Sequence, residues 1–277
     1  TKGVFQLESQ LGRSWAKRVR PRNIEELAAL ISLIRPGCLK AYTEGKSMTQ
    51  HYVDRKAGID EVKYLHPSLE PILKETYGVL VYQEQSMKIA QQLAGFDLKE
   101  ADNLRKAIGK KKADLMNQIK GSFLEGAVSV GGLEKDTAEE IFSWIEKSNR
   151  YAFNKSHAVS YAVNAYRSAY CKHYKKLKFF EVYLNHSERK PDSQLEIREL
   201  VSDSKMYDIE NLPPRLGHFY EDFTAKDNVI YFGITSVKGV GSAEAGKMLS
   251  LIPELEERLD KSFSDFTWAD TLFNFGL

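Results

Sequence analysis

The chain has 277 residues, of which 42% are apolar and 28% are charged. This composition is typical of a globular protein that buries a core, and the length favours one main domain plus a small one. No stretch approaches the roughly 20 apolar residues that span a bilayer, and no signal-peptide pattern is present, so we expect a cytoplasmic protein without a membrane partner. The formal net charge is only +2, so partners must be inferred from where the charges cluster.

The two cysteines, Cys38 and Cys171, lie in apolar-rich sequence with no C-x-x-C spacing and no histidine pair nearby. This pattern favours reduced, buried thiols over a disulfide framework or a zinc site. The first residue is Thr1, and motif-like sequence follows at once. We therefore expect the chain to be a piece of a longer protein.

Helical periodicity dominates the sequence. An i, i+3, i+4, i+7 apolar stripe predicts a helix over 24–34, and an apolar run from residue 79 leads into a helix that reaches residue 93. Asp97 and Glu100 form the Asp version of a capping box, which predicts a helix that begins at 97 and ends at Gly109. Further helices are predicted over 135–148, 156–176 and 193–204.

The character of the sequence changes near residue 186. A polar segment that contains Pro191 covers 186–193, and a second break lies at 211–214. A short β-like run follows at 229–233, and then a glycine-rich hairpin at 237–241. The sequence therefore predicts a mostly α fold, with a minor β element in its second part.

Five cations and no acid lie between residues 105 and 112: Arg105, Lys106, Lys110, Lys111 and Lys112. A solvated helix end explains this cluster, since lysines there interact favourably with the helix dipole. The alternative is a site for an anion that meets several cations together, such as phosphate. The cluster by itself leaves both interpretations open.

A second constellation covers residues 151–157. Asn154 or Ser156 fits the cap of the following helix, which is the plain interpretation. That interpretation leaves Lys155 and His157 unexplained at a helix N-terminus, where anions bind well.

Five runs of the sequence stand out in chain order: 3–9 (GVFQLES), 35–37 (RPG), 76–85 (TYGVLVYQEQ), 101–111 (ADNLRKAIGKK) and 153–158 (FNKSHA). These runs closely resemble the alpha subunit of bacterial DNA polymerase III, a family C replicative polymerase. One such run is a weak match, but five in the same order with similar spacings are specific. A later run, 237–241 (VKGVG), resembles the helix-hairpin-helix that follows the fingers in that family.

The sequence also departs from the family pattern. Cys38 stands where the family usually has proline after Arg-Pro-Gly, and Lys106 stands where a second arginine is common. The residues 148–150 (SNR) replace an apolar-aromatic-small run. Such departures are typical of a distant relative, for example a phage-encoded one.

The resemblance implies a fold and a function for each part of the chain. Residues 1–190 would form a helical fingers domain, 191–224 a connecting segment, and 225–277 a small α+β domain that starts a duplex-binding region with a helix-hairpin-helix. The catalytic carboxylates that hold two Mg²⁺ ions would lie in the palm, outside this chain, and no Asp-x-Asp motif occurs here. The chain alone is therefore expected to be inactive.

The resemblance also implies roles for individual residues. Arg105, with Lys106 behind it, would face the triphosphate of the incoming dNTP. Asn154, Lys155 and His157 would line the nucleotide pocket. Tyr151 would lie near the nascent base pair, and Arg35 would belong to the same surface.

Contacts to template–primer DNA are expected in two places. Lys110, Lys111 and Lys112 would meet backbone phosphates, unless they only form a solvated helix end. At the hairpin, Lys238, Gly239 and Gly241 would approach phosphates without reading sequence, unless the hairpin only holds the small domain together.

Two rival interpretations remain at this point. One is a stand-alone, non-sequence-specific DNA-binding module, although the near-neutral charge and the nucleotide-facing runs argue against it. The other is a naturally split polymerase whose palm-containing partner would cover an apolar surface at Val4, Phe5 and Leu7. A sliding-clamp-binding peptide, where the parent protein has one, would lie downstream.

Overall fold

The computed structural model describes residues 2–110, 113–215, 220–267 and 269–271. The chain divides into two compact units, the first covering Gly3–Ser168 and the second made of Lys2 with the residues from Ala169 onward. The division falls inside one long helix. The predicted domain limits at residues 190 and 224 stay a prediction.

The first unit is built almost entirely of helices. They are α1 (Gln10–Val19), α2 (Ile24–Leu33), α3 (Pro36–Lys40), α4 (Met48–Lys56), α5 (Glu70–Leu73), α6 (Gln83–Ala94), α7 (Leu98–Lys110), α8 (Ala113–Ser129), α9 (Lys135–Asn149) and α10 (Lys155–Tyr174), which continues into the second unit. A two-stranded antiparallel hairpin, β1 (Tyr42–Thr43) and β2 (Lys46–Ser47), precedes α4.

Side-chain caps explain why several of these helices begin where they do. Ser9, Asn23 and Ser47 each accept a hydrogen bond from the amide three residues on. Before α7, Asp97 accepts from the Glu100 amide at 2.7 Å, and Glu100 accepts from the Asp97 amide at 2.9 Å. The capping box predicted from the sequence is thus confirmed.

Two apolar cores stabilise the first unit. One is formed by α5 to α9 and contains Leu104, Phe123 and Phe142 among its fully buried side chains. The other joins α1 to α4, the extended segment 79–82 and the first half of α10. Val4 and Leu7 are buried in this second core and Phe5 is 37% exposed, so the apolar surface expected for a split polymerase is largely internal packing.

The second unit combines helices with a small mixed sheet. Its elements are α11 (Lys176–Asn185), α12 (Ser193–Lys205), β3 (Glu210–Leu212), β4 (Thr224–Lys226), β5 (Val229–Tyr231) and α13 (Ser242–Leu259). The strand order is β3-β5-β4, with β5 parallel to β3 and antiparallel to β4. Phe180, Leu184, Leu200 and Ile230 form the core between the sheet and its two preceding helices.

The structure confirms the predicted mostly α fold with a small α+β part. One expectation was wrong: Cys38 is buried, whereas Cys171 is exposed, because it lies on the solvent side of α10. Both thiols are free, and burial raises the pKa of Cys38 to about 11. Within the described residues, no helix is long and apolar enough to cross a membrane.

Gln85, at the start of α6, is a buried residue whose side chain forms hydrogen bonds with several neighbouring groups. Its side-chain oxygen accepts hydrogen bonds from the amides of Val81 and Tyr82, both at 2.9 Å, and its amide nitrogen donates to the Thr76 hydroxyl at 2.8 Å. The residue is only 2% exposed. These bonds satisfy backbone donors that no water reaches and hold the segment 79–82 against α6.

Replacing Gln85 with alanine should therefore destabilise the first unit by about 2–4 kcal/mol, because two buried amides lose their acceptor. The measurement is urea unfolding followed by tryptophan fluorescence in a Trp268→Phe background, where Trp15 and Trp144 report on the first unit alone. The control is Gln92→Ala, an exposed glutamine on the same helix, expected within about 0.5 kcal/mol of the parent. Equal unfolding midpoints for the two variants would contradict the assigned role of Gln85.

Candidate functional site

The segments 77–85 and 151–157 lie side by side in the first unit. Tyr82 and Phe153 form an isolated parallel β-bridge. The Phe153 amide donates to the Val81 carbonyl at 2.9 Å, and the Gln83 amide donates to the Phe153 carbonyl at 3.0 Å. Two of the runs that carry the family resemblance are therefore one structural feature, although about 70 residues separate them in the sequence.

Glu84 completes this junction. One carboxylate oxygen accepts from Asn154 Nδ2 at 2.8 Å, and the other accepts from the Lys155 amide at 2.9 Å. Asn154 Oδ1 in turn accepts from the His157 amide at 2.9 Å, so Asn154 caps α10 as one of the two sequence alternatives predicted. The positive end of the helix dipole also stabilises a carboxylate at this position.

Aromatic rings and a guanidinium stack along the start of α10. The Arg35 guanidinium lies 4.4 Å from the centroid of the Phe153 ring. Phe153 meets the ring of His157 edge-on at 5.3 Å, and His157 lies 4.1 Å from Tyr161. Phe5 continues the stack at 5.0 Å from Tyr161. The structure thus brings Arg35 and His157 together through Phe153, with Arg35 and His157 both exposed to solvent.

Lys155 belongs to the same region but points to a different partner. Its ammonium forms an ion pair with Glu75 at 2.6 Å and lies 5.4 Å from the centroid of the Tyr82 ring. Both charged side chains are partly exposed. An exposed ion pair of this kind contributes little to the free energy of folding, so an incoming anion can compete with Glu75 for Lys155.

Tyr151 packs on the backbone at the start of α3. A Cβ on Gly37 would come within 2.7 Å of the Tyr151 ring, so the absence of a side chain at Gly37 makes room for the tyrosine. The Cys38 thiol lies 3.7 Å from the Tyr151 carbonyl oxygen. The Arg-Pro-Gly run and Cys38 therefore pack directly against the segment 151–157.

Arg105 and Lys106 lie on α7 and share one counter-ion. Asp102 accepts from Arg105 Nε at 2.8 Å and pairs with the Lys106 ammonium at 2.6 Å. The hydrogen bonds from Lys106 and then from Arg105 hold the pKa of the Asp102 carboxyl below its usual range. No hydrogen bond or ion pair joins Arg105 or Lys106 to 151–157 among the residues that the structure describes.

The remaining predicted DNA contacts are only partly described. Helix α7 extends to Lys110, one residue beyond the predicted end at Gly109, while Lys111 and Lys112 lie outside the described residues, as does the side chain of Lys110. Near the C-terminal end, Gly239 has φ +94° in a tight turn closed by the Val240 amide on the Val237 carbonyl at 3.1 Å. The turn that contains Lys238 leads into α13, whose N-cap is Gly241. A three-residue 3₁₀ helix precedes this turn, whereas the predicted helix-hairpin-helix has a full first helix there.

Sequence reasoning missed several residues that shape the candidate site. Glu84, Glu75 and Asp102 position or neutralise the predicted cations, and Tyr161 extends the ring stack. The spacing of Tyr161 from His157, four residues along one helix, was the available signal. In the described portion of the chain, no group of three His, Cys, Asp or Glu side chains is arranged to hold a metal ion.

Comparison with known proteins decides the family. A model of the bacterial DNA polymerase III alpha subunit finger domain matches residues 1–131. Residues 1–131 of the chain belong to this family. Its relatives named DNA polymerase III subunit alpha include one from Aquifex aeolicus (strain VF5), 44% identical over 246 residues, which are 88% of this chain and 20% of the relative.

Other alpha subunits match the chain over a similar extent. The protein from Helicobacter pylori (strain J99 / ATCC 700824) is 37% identical over 276 residues, covering 96% of the chain and 22% of the relative. That from Thermus aquaticus is 36% identical over 249 residues, covering 90% and 20%. The similarity therefore extends into the second unit, and the chain spans about a fifth of the length of these alpha subunits.

Replacing Glu84 with alanine should loosen the start of α10, because Asn154 Nδ2 and the Lys155 amide lose a charged acceptor. Hydrogen bonds to charged groups are worth about 1.5–3 kcal/mol, so hydrogen exchange of the Lys155 amide should accelerate at least about tenfold. The control is Glu140→Ala, an exposed glutamate on α9, which should leave that amide unchanged. Unchanged exchange in Glu84→Ala would show that the carboxylate does not hold this helix start.

Proposed function

We propose that this chain is the fingers part of a DNA-directed DNA polymerase, a nucleotidyltransferase, and that it binds the triphosphate of the incoming dNTP and template–primer DNA. The observation that carries the proposal is the stack of Arg35, Phe153 and His157 at the start of α10, in which the guanidinium and the imidazole are exposed to solvent. It combines a cation, flat rings and a helix N-terminus, which suit a phosphate and a base. The membership in the alpha-subunit family supports the same role.

Fixed cations around the phosphates are what a fingers region contributes to phosphoryl transfer. Positioning and electrostatic stabilisation supply nearly all of that catalysis, because the transferred group carries spread negative charge. Arg105 is suited to a bidentate contact with phosphate oxygens, and Lys106 to a point contact. Arg105 and Lys106 are both accessible to solvent, and Asp102 is their ion-pair partner among the residues that the structure describes. Because the Asp102 side chain is itself partly exposed, a triphosphate can take the place of that carboxylate.

Metal ions enter the proposal through residues outside this chain. Two bound Mg²⁺ ions would activate the primer hydroxyl and stabilise the leaving pyrophosphate. The carboxylates near the candidate site do not fit that task, since Glu84 accepts from Asn154 and Lys155, and Asp102 is held by two cations. We therefore assign the metal ligands to the palm and expect no synthesis by this chain alone.

DNA contacts complete the proposal. Lys110, where α7 ends, and Lys111 and Lys112, which follow it in the sequence, would meet backbone phosphates, and the turn at Lys238 and Gly239 would present amides to the duplex. Such contacts carry no sequence information, which suits a polymerase that moves along its template. A sliding clamp bound through downstream sequence stays a prediction.

The proposal is tested by reconstitution. A palm-containing segment of the Aquifex aeolicus alpha subunit is expressed separately and mixed with this chain, and primer extension is measured with Mg²⁺. Extension should require both chains. Arg105→Ala should lower kcat/KM for dNTP by about a hundredfold or more, the effect of removing one preorganised charge contact.

Two further variants sharpen this test. Arg105→Lys keeps the charge but loses the forked geometry, and it should fall between the parent and Arg105→Ala. Lys120→Ala removes an exposed cation from α8 and should match the parent. Equal extension by Arg105→Ala and Lys120→Ala would refute the role of Arg105. Duplex binding without any extension in the mixture would favour the stand-alone DNA-binding module.

A further inference from the structure

A basic cleft lies in the first unit, apart from the ring stack at the start of α10. Its volume is about 950 Å³, and it is enclosed by the β1–β2 hairpin, the segments 63–65 and 78–80, and the C-terminal part of α9 with Arg150 and Tyr151. Ligand sites usually have volumes of about 300–1,000 Å³, so the cleft is large enough for one or a few nucleotides. Except for Tyr151, none of its residues belongs to the site proposed above.

The charge of the cleft is one-sided. Five permanent cations line it, against one acid, Glu44; the cations are Lys40, Arg55, Lys63, Lys147 and Arg150. A cleft lined by one sign of charge concentrates ligands of the opposite sign. The lining therefore favours a polyanion.

Four of these five cations are available to such a ligand. Lys40 and Lys147 are exposed and form no ion pair with any residue that the structure describes. Arg150 lies 3.6 Å from Glu146, and Lys63 lies 3.8 Å from Glu61; these are long, exposed pairs that a phosphate can replace.

The cleft also offers aromatic and apolar surface. Tyr42 on β1 is 68% exposed, while Tyr64 and Trp144 contribute partly buried rings. Leu69, Leu73 and Leu80 are almost fully buried and line the inner part. A free inorganic anion would gain nothing from these rings, whereas an unpaired base stacks on them.

We propose that this cleft binds single-stranded DNA, with a base stacked on Tyr42 and backbone phosphates on Lys40, Lys63 and Lys147. A basic groove with exposed aromatic side chains is the arrangement by which proteins hold single strands without sequence preference. Duplex DNA keeps its bases stacked inside the helix, so it cannot use Tyr42 or Trp144. The inference stands on the cleft's own side chains and does not depend on the role of Arg105.

The test uses Trp144 as a reporter inside the cleft. In the 277-residue chain with Trp15→Phe and Trp268→Phe, Trp144 is the one tryptophan left. An oligonucleotide of eight thymidines should quench its fluorescence on titration. The Lys120→Ala variant, which removes an exposed cation of α8 outside the cleft, should give the same titration.

Two substitutions define the contacts. Tyr42→Ala should weaken binding about fivefold or more, the loss expected when one base no longer stacks. Its control is Tyr174→Ala, a 63% exposed tyrosine of α10 in the second unit, which should match the parent. Lys63→Ala and Lys147→Ala should each reduce the slope of log K against log salt by about 0.7, the value for one phosphate contact with a single strand, whereas Lys120→Ala should not.

The outcomes separate three cases. Quenching by the oligonucleotide that weakens in Tyr42→Ala and loses salt dependence in the lysine variants supports the proposal. Absence of quenching, or variants that all bind like the parent, overturns it. Stronger binding of dTTP than of the oligonucleotide at equal nucleotide concentration also overturns it, since the cleft would then be a mononucleotide site.

Discussion

The junction between Tyr82 and Phe153 is the contact on which the candidate site depends. It consists of one parallel β-bridge, the hydrogen bonds that Glu84 accepts from Asn154 and Lys155, and the buried side chain of Gln85. An isolated bridge is weak by itself, so its rigidity must come from the charged and buried hydrogen bonds around it. Because α10 begins at this junction, the junction also sets where the stack of Arg35, Phe153 and His157 is presented.

Charge neutralisation follows one pattern across the candidate site. Lys155 is paired with Glu75, and Arg105 and Lys106 are paired with Asp102, so these cations are held in place without being buried. Exposed pairs are weak and exchangeable. A phosphate group that met these cations would therefore replace a carboxylate at little cost, as the proposed binding of a dNTP requires.

The sequence predicted much of the helical framework but little of the junction. The capping box at Asp97 follows from local chemistry, as does the Asn154 cap of α10, which was one of two predicted alternatives. Helix α8 was not predicted: Gly121 and Gly126 lower its intrinsic propensity, and burial of Phe123 and Ala127 in the core overrides that penalty. The pairing of Glu84 with Asn154 joins residues 70 positions apart, and the exposure of Cys171 depends on which side of α10 is covered. Neither can be inferred from local pattern.

A double-mutant cycle between Glu84 and Asn154 tests the central claim most directly. Urea unfolding of the first unit is measured for Glu84→Ala, Asn154→Ala and the double variant in the Trp268→Phe background. The account predicts a coupling free energy of about 1 kcal/mol or more, because a charged acceptor and its donor act together. Additive effects within about 0.3 kcal/mol would contradict it, since the two segments would then be held in place by something other than this bond.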